Sequence, residues 1–208
     1  MTRAGAGVLA GLVLLLATAS ASAAPKPPRV TLISDSVAAS IAFDTRAKAT
    51  LAEGVDLFLE PGQARLLGGD NPAGAIAPPT ALQLITMLGR RLGPTVIVSV
   101  GYNDVSAQYP ANMESALDAL RRAGVKRVLW ATLHASSAHA GYATMNDAIV
   151  AAAAHHPELT VVDWNAYTSG HPEWFQSDQA HLTGEGPRAL ARLFHESLVK
   201  LGIPIRRA

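Results

Sequence analysis

Cysteine is absent from the 208-residue chain, which excludes disulfide scaffolds, thiol nucleophiles and Cys-ligated zinc or iron–sulfur sites. Charge is scarce too: Asp, Glu, Lys and Arg make up 16%, against about 25% in an average soluble domain. The 17 basic and 16 acidic residues leave a formal net charge of +1, so the total gives no electrostatic footprint for a nucleic acid. Aromatics are only 5% of the chain, and much of its 49% hydrophobic content is alanine. The length suits one compact domain. Any chemistry must run on oxygen and nitrogen side chains.

Residues 1–23 separate from the rest by pattern. Arg3 is followed by an acid-free apolar run and then small residues ending in Ala21-Ser22-Ala23, which reads as a secretory signal peptide cleaved before Ala24. The apolar core, residues 8–17, is shorter than the about 20 residues that span a bilayer. No Cys follows it, so a lipoprotein anchor is excluded. The expectation is a secreted, periplasmic or cell-envelope protein, monomeric and without stable membrane insertion once the signal is removed. Residues 24–28 form a Pro/Lys linker, and residues 29–208 the domain.

Beyond the linker, short runs rich in branched side chains alternate with helical patterns. Residues 30–33, 55–59, 95–100, 125–133 and 159–164 read as buried strands. Residues 36–51, 79–92, 111–123, 142–155 and 187–201 read as helices, with Gly124 and Gly202 as C-caps. Strict alternation predicts an α/β fold with a parallel, doubly wound sheet, its strands buried on both faces. Loops at 61–78, 132–141 and 165–186 are rich in Gly, Ser, Pro and His. In such sheets, ligands bind at loops that follow the strand C-termini.

Four of these loops carry chemistry-bearing residues. The first strand runs into Ser34-Asp35-Ser36. A hydroxyl at Ser36 sits at a helix N-terminus, where free N–H groups favour a developing oxyanion; all three residues are also good N-caps. The second strand ends in Glu60-Pro61-Gly62, and Gly62 either presents a backbone N–H or forms a turn. The third ends in Gly101-Tyr102-Asn103-Asp104, where Asn103 either aims its amide at a bound oxygen or shapes a turn. Before the last helix, Asp178 and His181 lie three apart. That spacing lets a carboxylate orient an imidazole as the base that a serine nucleophile needs, although the same pair is also a metal half-site or a helix-entry motif. The other histidines lack zincin-type spacing, so no metal or cofactor is expected.

In order along the whole mature chain, these four segments resemble the SGNH hydrolases, the GDSL-like esterase and lipase superfamily. The resemblance implies a flavodoxin-like three-layer α/β/α fold with a five-stranded parallel sheet, Ser36 as nucleophile, His181 as general base and Asp178 as its orienter. It also implies an oxyanion hole from the Ser36 N–H, the Gly62 N–H and the Asn103 side chain. One departure is visible: Ser34 stands where that superfamily usually has Gly. The Gly-x-Ser-x-Gly elbow of the α/β-hydrolases is absent.

Tyr102, Tyr109, His134, His139, Trp164, Tyr167 and Trp174 lie in or beside the loops around such a site. They either shape substrate, Tyr102 and His134 first among them, or simply pack at the sheet edge. No loop carries a run of large apolar residues, which points to short acyl groups rather than long lipid chains. The functional reading is an exported serine esterase acting on a small-molecule or glycan acyl ester. An O-acyltransferase with the same triad and a glycan acceptor, or a non-catalytic carbohydrate-binding relative, are the alternatives.

Overall fold

The structure, a computed structural model, describes residues 26–70 and 77–203. The expected signal segment and the first two linker residues lie outside that range, as do part of the loop at 61–78 and the last five residues. Five strands form one all-parallel sheet: β1 (Arg29–Ser34), β2 (Asp56–Glu60), β3 (Thr95–Ser99), β4 (Arg127–Ala131) and β5 (Leu159–Val162). Their order, β2-β1-β3-β4-β5, is the flavodoxin-like one. The described helices are α1 (Ser36–Phe43), α2 (Thr45–Ala52), α3 (Ala81–Leu88), α4 (Tyr109–Arg122), α5 (Gly141–Ala153), α6 (Trp164–Tyr167) and α7 (Gly186–Lys200). One layer holds α1, α2 and α7, the other α3, α4 and α5. The expected three-layer α/β/α architecture is therefore present.

Period-2 alternation divides the core. Val30, Leu32 and Ile97 face the α1/α2/α7 layer, whereas Ile33, Val96 and Val98 face the other. Complete burial of each such side chain contributes about 1.5–3 kcal/mol. Burial on both faces holds for β1 and β3 and fails for the edge strands, because β2 and β5 have a neighbour on one side only and are partly exposed.

Several boundaries differ from the sequence expectation. The helix at 36–51 is two helices, because Asp44 leaves helical geometry (φ −101°, ψ 112°) and its carboxylate accepts the Arg46 and Ala47 N–H groups as the cap of α2. The segment at 79–92 begins with a Thr80/Gln83 capping box and ends in a 3₁₀ turn, Gly89–Leu92. The strand at 125–133 is confined to β4, and the loop at 165–186 contains most of α6 and a 3₁₀ turn, Pro172–Trp174. Gly124 and Gly202 do take the left-handed conformation past their helices, at φ 87° and 65°.

The chain leaves β1 for β2 on one side and returns to β3 on the other. That reversal opens a crevice at the C-terminal ends of β1 and β3, where the two ordered segments Ser34-Asp35-Ser36 and Gly101-Tyr102-Asn103-Asp104 meet.

Candidate active site

The turn out of β1 is built around Asp35. Its backbone N–H continues the ladder to Ser99 O at 3.0 Å, and its carboxylate accepts the N–H groups of Val37, Gly101 and Tyr102, each at 3.0 Å. Of the three capping candidates, the structure uses Asp35 as the N-cap of α1. Ser36 becomes the first helical residue, with its side chain free for other work. Asp35 is fully buried, and desolvation pushes its carboxyl up to about 6 despite the three N–H groups.

Ser36 Oγ lies 2.9 Å from His181 Nε2, across 145 residues of sequence. His181 Nδ1 lies 2.7 Å from Asp178 Oδ2, and Asp178 Oδ1 accepts the Ala180 and His181 N–H groups at 3.0 Å. Facing a carboxylate, Nδ1 carries the proton; Nε2 is then the acceptor for the Ser36 hydroxyl. The hydrogen bond from His181 holds the Asp178 carboxyl down at about 2. The loop is a compact hairpin: Gln176 N–H donates to His181 O at 2.8 Å, Thr183 N–H to Trp174 O at 2.9 Å, and Phe175 bridges Leu182. The structure thus brings Ser36, Asp178 and His181 together, with the His181 side chain 46% exposed.

Gly62 and Asn103 are linked through Arg65. Gly62 O accepts the Arg65 N–H, and Arg65 O accepts Asn103 Nδ2, both at 3.3 Å, which leaves the second amide hydrogen of Asn103 unengaged by this bond. The Arg65 guanidinium, 3% exposed, donates to the carbonyls of Ser34, Pro61 and Pro79. It therefore pins the loop after β2 to the end of β1. A Cβ on Gly62 would sit 2.3 Å from Arg65 Nε, so glycine is required there for close approach. Asp104 accepts the Leu67 N–H through both oxygens at 3.0 Å, and burial pushes its carboxyl up to about 6.

Of the aromatic and imidazole residues near the loops, Tyr109, Trp164 and Trp174 are core residues, at 0%, 1% and 8% exposure, so packing accounts for them. Tyr102 has a positioning role besides any contact with substrate: its hydroxyl accepts the His134 N–H, and its carbonyl accepts from Tyr142 Oη. His134 stacks on Phe175 at 4.0 Å, and its Nδ1 meets Thr168 Oγ1. It lines a polar cleft of about 410 Å³ with Asn165 and His171. His139 Nε2 donates to Asp178 O at 2.8 Å and so braces the loop that carries Asp178 and His181.

Arg65 and the bracing role of His139 were not singled out from the sequence, and of Asp35 only the capping role was, not its grip on Gly101 and Tyr102. Asp35 had a partial signal, a charged residue at the end of a buried strand. Arg65 had none, because its partners are backbone carbonyls. No cluster of three or more His, Cys, Asp or Glu able to hold a metal occurs among the described residues.

No protein-family model matches the chain, and no curated protein is similar to it in sequence. Solved structures are similar in fold. The C-terminal catalytic domain of the Streptococcus pneumoniae peptidoglycan O-acetyltransferase OatA superposes with a TM-score of 0.59 at 20% identity, covering 88% of this chain and 100% of that one. An aryl esterase of M. smegmatis and Est24, a carbohydrate acetylesterase from Sinorhizobium meliloti, each give 0.63 at 15% identity, covering 84% of this chain and 99% of theirs. The chain therefore shares its fold with these two esterases and this O-acetyltransferase domain.

Proposed function

We propose that this chain is an exported serine esterase that hydrolyses short-chain acyl esters, with residues 29–208 as its catalytic domain and residues 1–23 as a signal segment. The observation that carries this reading is the Ser36–His181–Asp178 relay, with contacts of 2.9 and 2.7 Å. Ser36 Oγ attacks the ester carbonyl as its proton passes to His181 Nε2. The N–H groups of Ser36 and Gly62 and the amide of Asn103 receive the negative charge on the carbonyl oxygen. His181 then gives its proton to the leaving alcohol oxygen. In the second half-reaction it takes a proton from water, which attacks the acyl-serine, and returns that proton to Ser36 Oγ as the acid is released.

The openness of the site supports a short acyl group on a bulky alcohol. His181 and Asp178 are nearly half exposed, and the cleft of about 650 Å³ along α3 contains none of the three triad residues. Transfer to a glycan hydroxyl instead of water is the second reading, favoured by the likeness to an O-acetyltransferase domain. A fluorophosphonate probe should label the folded protein at Ser36 with one-to-one stoichiometry, and turnover should fall as the acyl chain of a chromogenic ester lengthens. Absence of labelling would overturn the proposal; faster transfer to an added glycan than to water would favour the second reading.

The amide of Asn103 can be tested separately. Asn103→Ala removes one proposed oxyanion donor and the 3.3 Å bond to Arg65 O, while Asp104 still ties the same loop through Leu67. The expected result is a fall of about 10²- to 10³-fold in kcat, with KM and the unfolding midpoint little changed. An unaltered kcat would remove Asn103 from the mechanism.

A further inference from the structure

The 17 bases and 16 acids nearly cancel in number, but the fold separates them. In a parallel sheet the crossover helices run back against the strands, so strand starts and helix ends share one face, opposite the triad. Lys26, Arg90, Arg91, Arg122, Lys126 and Arg127 all lie on that face, exposed and without an ion-pair partner among the described residues. Most of its acids are engaged: Asp56 by Arg29, Asp118 by Arg121, and Glu158 near His156, leaving Glu53 and Glu196. Arg29, Arg90 and Arg91 converge on one cleft of about 490 Å³ beside Phe58. The opposite edge carries Glu60, Asp104, Asp163 and Asp178 at or just past the strand ends.

Helix dipoles account for the sign of some of these charges, because Arg90, Arg91 and Arg122 stand in the last turns of their helices. They do not account for Lys26, Lys126 and Arg127, which lie outside helices, and they do not cancel the field of exposed, unpaired cations. We propose that this basic face docks on an anionic lipid bilayer, which leaves the triad edge turned toward solution. The C-terminal segment, which carries Arg206 and Arg207, follows α7, whose end lies on the same face. This inference does not depend on the esterase reading.

The test uses the full chain with vesicles of phosphatidylcholine, pure or with one third phosphatidylglycerol, at about 0.05 M and about 0.5 M NaCl. Each base at an anionic surface strengthens binding roughly fivefold. Co-sedimentation with the anionic vesicles at low salt should therefore exceed that at high salt, or with neutral vesicles, by at least about tenfold. The combined variant R90E/R91E/K126E/R127E should lose that excess and keep its turnover of a soluble ester. The neutral set R90Q/R91Q/K126Q/R127Q should lose most of it too, and carries the test if the reversed set fails to fold. Equal binding to both vesicle types would show that the apolar leader alone is responsible and would overturn the proposal. So would undiminished vesicle binding by the variants, including the case in which only their retention on a soluble polyanion falls.

Discussion

Ser36→Ala is expected to lower ester turnover by at least about 10⁴-fold and to abolish fluorophosphonate labelling, while the fold stays intact. A serine nucleophile and its base act as a unit, and removing either from such a relay typically costs about 10⁶-fold, with residual catalysis left to the oxyanion donors. The loss should therefore appear in kcat, with KM nearly unchanged. Little destabilisation should accompany it, for a reason specific to this turn. The N-cap of α1 is Asp35, whose carboxylate holds Val37, Gly101 and Tyr102, so Ser36 is not the residue that starts the helix. Alanine also has the highest intrinsic helix propensity. Circular dichroism and the unfolding midpoint check the fold, and kcat on an acetyl ester checks the chemistry. Wild-type turnover by a folded Ser36→Ala protein would refute the nucleophile assignment.

Asp178→Asn should cost about 10⁴-fold in kcat through the tautomer of one ring. In the native loop, one Asp178 oxygen accepts two backbone N–H groups and the other faces His181 Nδ1. An asparagine that keeps its oxygen on the two N–H groups turns its NH₂ toward Nδ1. The ring then moves its proton to Nε2, where Ser36 needs an acceptor. Flipping the amide restores the acceptor at Nδ1 and places NH₂ against two N–H donors instead. Neither orientation serves both jobs. The loop should survive, because His139 holds Asp178 O and Gln176 holds His181 O. Were Asp178 only a loop cap, Asn would serve about as well as Asp, so near-normal kcat in the variant would refute its role as orienter. The carboxyl, held at about 2 by its hydrogen bond, stays ionised as pH falls until it is approached. The stability it contributes through this contact is present above its unfolded value near 4 and is lost only as pH falls through about 2.

The five strands were legible because apolar, branched runs mark segments buried between two helix layers, and that holds best for β1 and β3. Run length misled where burial continues past the ladder: Val125 and Leu133 are buried but lie outside β4. The break at Asp44 was hidden because an apolar period reports the buried face of a helix and says nothing of a carboxylate that turns to cap the next one. At the site, Ser36, Asp178 and His181 stood out because the chemistry demands those residue types at loop positions. Arg65 and His139 act by binding backbone carbonyls, and a carbonyl belongs to every residue, so no side-chain pattern marks its partner.

By itself the sequence determined which chemistry was open to this protein: with no cysteine and no metal-type histidine spacing, what remained was a hydroxyl, an imidazole and a carboxylate in ordered loops. It also determined the layer architecture, because alternating periods of about 2 and 3.6 admit few ways of burying their apolar faces. Only the tertiary structure decided that Ser36 and His181, 145 residues apart, meet at 2.9 Å. The same holds for the separation of a near-zero net charge into a basic face and an acidic edge. Composition sums charges without position, and a one-dimensional pattern carries no distances across a sheet; both are set when parallel strands align their ends and helices return against them.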